Sequence, residues 1–383
     1  MNTLFNNKSV QIKILKKERK NQKLSNFILH YVKSIQNGHI DDYIKLHRNT
    51  RESFHTEQTR WFKTVTKQKA EFTYTLSKVM VDSFSENLIM KVFLLVDSEH
   101  ADEKEIFGTY LIKEDAAGYF IESLFSDSLI TLNQHQISFP SSLKEQAENT
   151  SSFIKKIFRF YKELIDPHFK FKKLNIIFFD SLETISFSVP IHSTYGWYES
   201  NESIKIFIPK FIENKKEFLS KILLHELTHV FLTECTHNNL ALCFQEGFAM
   251  YLEGNYEQLT STYNPNFLKN DYSEQVSFSK SMLTNELSSI LSLEKVILLS
   301  EEDGIEVYHQ GFLWINYLIK KYGLTHFLLF LKSFNMYNIN NDSISQSRSL
   351  TTKNTIIQTK LFYPDEIMTN SNIIKFYNVK KSS

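Results

Sequence analysis

The stretch KILLHELTHVF, residues 221–231, restricts this chain more than any other part of it. Three ionisable side chains, His225, Glu226 and His229, stand inside an apolar run, where such groups are costly to bury without a partner. Phe218, Leu219, Ile222, Leu223, Leu227 and Val230 recur at helical spacing, so the run predicts a helix that is buried along most of its length. Four residues apart, His225 and His229 then project from one face, one turn from each other. That spacing lets two imidazole nitrogens reach one tetrahedral metal ion at about 2.0–2.1 Å. Glu226 is rotated about 100° from His225, so it is not a third ligand. It stands instead where a carboxylate can take a proton from a water in the open coordination position.

With thirteen His among 383 residues, an HExxH spacing arises by chance in roughly three such chains in a hundred, and a third ligand must decide. A pattern with Gly three residues and His six residues after the second ligand fails twice, because those positions hold Leu232 and Cys235. His237 comes one turn too late. The next apolar helix, CFQEGFAMYLEG (243–254), offers Glu246 followed by Gly247, and a glycine there lets two helix backbones approach closely. Two His and one Glu leave a fourth position for water or substrate.

Together, HELTHVF and QEGFAMYLEG resemble the gluzincin metallopeptidases, and most of all the small peptidase MA-like group, over residues from about 150 to 333. The resemblance implies a zincin-like domain: a small mixed sheet with an edge strand, the HExxH helix, and further C-terminal helices. It implies one Zn2+ per chain on His225, His229 and Glu246, Glu226 as general base and acid, and a peptide or protein substrate. VYHQGFLWINYLIKKYG (307–323) is similar to the group's helix that begins with a Tyr before a Gly. By that likeness Tyr308 donates to the oxyanion, while His309 is left as structural. The strand Ser203–Ile208 stands where the group has an edge strand that pairs with extended peptide; Trp197, just before it, reads as core packing. The Gly-x-Met-Glu-Asn signature of the large aminopeptidases is absent, which favours endopeptidase or another hydrolase. The tail after Phe334 also departs from the group's helical ending.

A chain of 383 residues exceeds a single core and is expected to form more than one domain. Residues 1–23 read as a basic lead-in. Residues 24–132 run from helices (SNFILHYVKSI, then a stop at Asn37-Gly38) into alternating strands, an α+β order. Its element order, the IQNGHIDDYIKLH turn and a helix with Trp61 resemble the cone-shaped SnoaL-like fold, whose members are often accessory domains. Polar residues 133–152 are expected as a linker, 153–337 as the peptidase domain, and 338–383 as a loose polar tail.

Forty-four basic against forty-three acidic residues leave no net field for nucleic acid. No apolar stretch approaches the ~20 residues of a membrane span, and no apolar signal-peptide core follows the N-terminus. The expectation is a cytoplasmic protein, or a secreted one if the N-terminus is incomplete. Cys235 and Cys243 read as two reduced thiols. Two other functions compete with a peptidase. One is a zinc-bound binding or regulatory protein without turnover, which the intact Glu226 argues against. The other is small-ligand binding in the N-terminal cone, where the sequence converges no paired carboxylates.

Overall fold

The chain was described by a computed structural model covering residues 10–48, 50–66, 72–98, 101–164, 169–190, 194–254, 301–341, 349–364, 366, 372 and 376. Among these, every strand lies between Gln11 and Phe207, and the elements beyond are helical, an α+β chain. It divides into two compact units that are discontinuous in sequence. The first holds 1–147, 174–197 and 201–212, and the second holds 148–173, 198–200 and 213–383.

The first unit opens with β1 (Gln11–Ile14), α1 (Gln22–Asn37), α2 (Ile40–Lys45) and α3 (Glu52–Thr66). The Asn21 side chain caps α1 by accepting from Leu24 N, and Gly38 ends it at φ 67°, a conformation glycine adopts freely. β2 (Thr73–Phe84), β3 (Asn87–Ser98), β4 (Ala101–Asp115) and β5 (Gly118–Leu124) form an antiparallel meander, and β1 joins its edge in parallel to β2. The basic lead-in is therefore partly strand: Ile12 and Ile14 lean on the core while Lys13 between them stays in water. Inside, Tyr31, Tyr43, Trp61, Phe62 and Tyr110 fill the space between helices and sheet. The hydroxyls of Tyr43 and Tyr110 both donate to Gln58 Oε1, at 2.7 and 2.9 Å. Phe187 packs flat on Gly108, where a Cβ would lie 2.2 Å from its ring.

A second sheet follows, with β6 (Ser128–Leu132), β7 (His135–Phe139), β8 (Asn175–Phe179), β9 (Gly196–Trp197) and β10 (Ile204–Phe207) in the order β6-β7-β8-β10-β9. Between β7 and β8 runs α4 (Lys144–Leu164), and between β8 and β9 the short α5 (Leu182–Ser188) that carries Phe187. Residues 133–152, expected as a linker, thus hold β7 and the start of α4. His135, Ile137 and Phe139 alternate inward, and Leu143, Ala147 and Thr150 turn inward at helical spacing among polar neighbours. The first unit boundary falls within α4, after Ala147. The strand expected at an edge is interior: β10 pairs with β8 on one side and, at Lys205 and Ile206, with the two-residue β9 on the other.

A buried ion network fixes β10 to α3 within this unit. Arg60 donates to both oxygens of Glu202, at 2.7 and 3.1 Å, and to Ser188 O at 3.0 Å. Lys205 Nζ, fully buried, sits 3.2 Å from Glu202 and 3.7 Å from Glu57. Ser203 donates to Glu57 from both its backbone N–H and its hydroxyl. Two cations against two carboxylates satisfy one another, as buried charges must.

The second unit is built from α6 (Lys215–Cys235), α7 (Leu242–Gly254), α8 (Glu301–Tyr322), α9 (Leu324–Lys332) and α10 (Ser349–Phe362), with the later part of α4. Asn214 caps α6 by accepting from Glu217 N. Thr228 and Phe231 hold α6 against Tyr161, by a 2.7 Å hydroxyl contact and a ring stack at 5.1 Å. The tail expected to be loose forms α10. Its inward face is polar: Thr351, Asn354, Thr355, Gln358 and Thr359 are buried, and Leu350, Ile357 and Leu361 face water. Asn354 donates to Asn239 Oδ1 at 2.9 Å and Thr355 Oγ1 accepts from Ala241 N at 2.8 Å, so hydrogen bonds dock this helix where apolar contact was sought. No helix among the described residues is long and apolar enough to cross a membrane.

Candidate metal centre

α6 and α7 together form one side-chain cluster. Among the described residues, His225, His229 and Glu246 bring one ligand atom each to within 4.8 Å of the others. Nε2 of His225 lies 3.1 Å and Nε2 of His229 3.3 Å from the same Glu246 oxygen. An ion with tetrahedral bonds of about 2.1 Å sets its ligand atoms roughly 3.4 Å apart, close to these two separations. His229 and Glu246 are buried, and His225 keeps some exposure. Two imidazoles and one carboxylate are a donor set suited to zinc.

The protein's own charges show what the cluster favours. Burial alone would raise the Glu246 carboxyl, but the imidazoles of His229 and His225 prevail and hold it at about 2. Burial alone would lower His225; hydrogen bonds to Glu246 and Glu253 reverse that and take it well above its ordinary value. A site that draws positive charge this strongly fits a cation as well as protons. Glu226 answers to a different balance. Burial pushes its carboxyl up to about 7, with the two imidazoles pulling the other way and Glu246 and Glu253 adding to the rise. A carboxyl poised there can both accept and release a proton near neutral pH.

Glu253 belongs to the site although the sequence reading passed over it. Its Oε2 lies 3.3 Å from Nδ1 of His225, behind the nitrogen that faces the cluster. A carboxylate in that place fixes the ring's orientation and tautomer. The signal was available: seven residues after Glu246, it falls two turns along on the same face of α7.

Gly247 meets its partner in α8. A Cβ on Gly247 would lie 2.2 Å from the carbonyl carbon of Gly311, and one on Gly311 would lie 1.9 Å from Cys243 O. The two helices cross backbone to backbone, and that crossing carries Tyr308, one turn before Gly311, to the cluster. Its ring stacks over His225 at 6.4 Å. Burial first, then Glu246 and Glu226, push its hydroxyl well above the ordinary tyrosine value, which keeps it a donor.

The rejected candidates lie elsewhere. His237, at φ 51° in the turn after α6, has Nδ1 2.9 Å from Tyr337 O. Cys235 and Cys243 form no disulfide with each other. Burial lowers the His309 imidazole, beside Tyr308 on α8. Trp197 is buried on β9.

No protein-family model matches the sequence, and a comparison with curated proteins finds no match. Among solved structures, the chain is similar to native leukotriene A4 hydrolase from Saccharomyces cerevisiae, at 13% identity and a TM-score of 0.40. The likeness covers 79% of this chain and 45% of that one, so the chain spans less than half the length of that protein. At that level it bears on neither activity nor substrate, and the site's own geometry has to carry the reading.

Proposed function

We propose that the protein is a zinc-dependent hydrolase of peptide bonds, with one ion held by His225, His229 and Glu246. The observation that supports this most is the shared Glu246 oxygen, 3.1 and 3.3 Å from two imidazole nitrogens, with Glu226 buried one residue away from the first ligand. Zinc bound by three protein ligands supplies Lewis acidity, lowering the pKa of a water and polarising a carbonyl. The remaining work falls to the chain. Glu226 receives the proton of the attacking water and passes it to the leaving amine. Tyr308 donates its hydroxyl hydrogen to the carbonyl oxygen as negative charge develops there. Glu253 holds His225 in the tautomer whose Nε2 faces the ion.

A second reading, a zinc-bound protein without turnover, keeps the ligands but gives Glu226 no task. A buried carboxyl raised to about 7 is the kind of perturbation that a proton-transfer role uses. The test is elemental analysis joined to a peptide-library digest. About one zinc per chain is expected, together with cleavage that a chelator abolishes and zinc restores. Protein offered zinc and found without it ends the assignment. Zinc-loaded protein that cleaves nothing in a broad library favours the second reading.

A further inference from the structure

His225 and His229 are not held alike. Nδ1 of His225 has Glu253, whereas Nδ1 of His229 is buried and makes no hydrogen bond among the described residues. With Nε2 turned to Glu246, His229 must carry its proton on Nδ1 when it serves as a ligand. A buried N–H without an acceptor costs about 1–3 kcal/mol, so something else accepts from it. His229 lines a small cavity with Tyr198, Glu199, Ser200, Thr233, Asn238 and Gln245, all within the second unit. The space open to the centre of a water-sized sphere is about 10 Å³, the room taken by about one water molecule. Each residue of that lining carries a polar side-chain group with which a buried water can bond. Glu199 is 1% exposed and is the one carboxylate in that lining.

We infer that Glu199 is a positioning residue for the metal centre, orienting His229 through a single buried water that accepts from His229 Nδ1–H and donates to the Glu199 carboxylate. The inference rests on the zinc reading above and deepens it. The chain Glu199–water–His229 does for the second ligand what Glu253 does directly for the first. The carboxylate makes the imidazole a stronger ligand and fixes its ring plane, and groups in that role are worth about 10- to 100-fold in metal affinity. Glu199 touches neither substrate nor ion, and its effect reaches the metal only through His229.

The experiment measures zinc affinity by competition with a chromophoric chelator, on the full chain and its Glu199→Gln and Glu199→Ala variants. Melting curves of the chelator-treated proteins are recorded alongside. The expected result is zinc dissociation constants raised about 10- to 100-fold, with melting of the chelator-treated protein shifted far less than a fold-wide defect would produce. Unchanged zinc affinity in both variants overturns the inference, and so does lowered stability accompanied by normal affinity. A wild-type chain that binds no zinc is a separate result, and it defeats the zinc reading itself. Should neither variant fold, a high-resolution crystal structure of the zinc-loaded wild type decides. A water within hydrogen-bond distance of both His229 Nδ1 and the Glu199 carboxylate supports the inference. Density without it, or a different acceptor on Nδ1, overturns it.

Discussion

Gly311→Ala tests how the centre is held, because helix propensity and packing give opposite signs. In the interior of a helix, Gly→Ala ordinarily stabilises by about 1 kcal/mol. Here the added Cβ would stand 1.9 Å from Cys243 O and 2.9 Å from its carbonyl carbon. That is about 1 Å inside the closest approach a Cβ tolerates, and the opposing atoms are backbone, which cannot rotate away. Overpacking of this kind costs about 3 kcal/mol, the upper part of the usual range. The net expectation is a loss of about 2 kcal/mol, or roughly 4–8 °C in Tm for a helical unit of this size. The same shift opens the α7–α8 crossing by about 1 Å and carries Tyr308 away from Glu246, a displacement that can cost on the order of 10²-fold in kcat. Gly323→Ala is the internal control. Gly323 sits at φ 88° with nothing within 4 Å of its would-be Cβ, so it should lose about 1–3 kcal/mol from backbone strain while kcat stays normal. Thermal melts and steady-state rates on both variants separate the two effects. A Gly311→Ala protein that melts higher than wild type at full activity refutes the close crossing.

Other outcomes follow from the same geometry. Glu226→Gln should retain zinc and Tm while hydrolysis falls by about 10²–10⁴, checked by metal analysis and rates on one preparation. Glu246→Gln should weaken zinc strongly in a chelator competition, since an amide is a poor zinc ligand, and normal affinity would remove Glu246 from the ligand set. Tyr308→Phe should lower kcat on the order of 10²-fold with KM and zinc content little changed; a packing role would lower Tm and leave the rate normal. In the first unit, burial lowers the His47 imidazole to about 4, against about 6.5 when unfolded. The unfolded chain then binds the extra proton, so this contribution is present above about pH 6.5 and is lost as pH falls towards 4. His47→Asn should flatten that part of the Tm–pH curve.

The centre was legible because its residues contradict their surroundings. Two His and a Glu in an apolar helix, and a Glu-Gly pair opening the next one, have few uses other than a metal and a close crossing. The residues that surround them were harder to find. α10 reads as a loose tail because its inward face is polar; Thr351, Asn354, Thr355, Gln358 and Thr359 keep helical spacing, but in hydrogen-bonding side chains rather than apolar ones. β7 passes for linker because a strand of five residues with only Ile137 and Phe139 apolar carries little alternation. β10 loses its expected edge to β9, a strand of two residues, too short for any pattern to announce. Both sheets group with the first unit because their pairings follow backbone contacts that no local sequence signal encodes.

The site's asymmetry follows from the periodicity of a single helix. On α7, Glu246 and Glu253 stand seven residues apart, two turns along one face, and so they bracket a single imidazole. Glu246 meets His225 at Nε2, at 3.1 Å, and Glu253 meets it at Nδ1, at 3.3 Å. His229 lies one turn further along α6, and the matching position on α7, four residues before Glu246, is Leu242. An apolar residue offers its Nδ1–H nothing. α7 can therefore serve both nitrogens of His225 but only Nε2 of His229. The cavity beside that nitrogen is lined from α6 by Thr233, from α7 by Gln245 and from the segment 198–200 by Glu199, its one carboxylate. The two helices thus bring His225, His229 and Glu246 together, and the segment 198–200 brings a carboxylate to the cavity beside the second histidine.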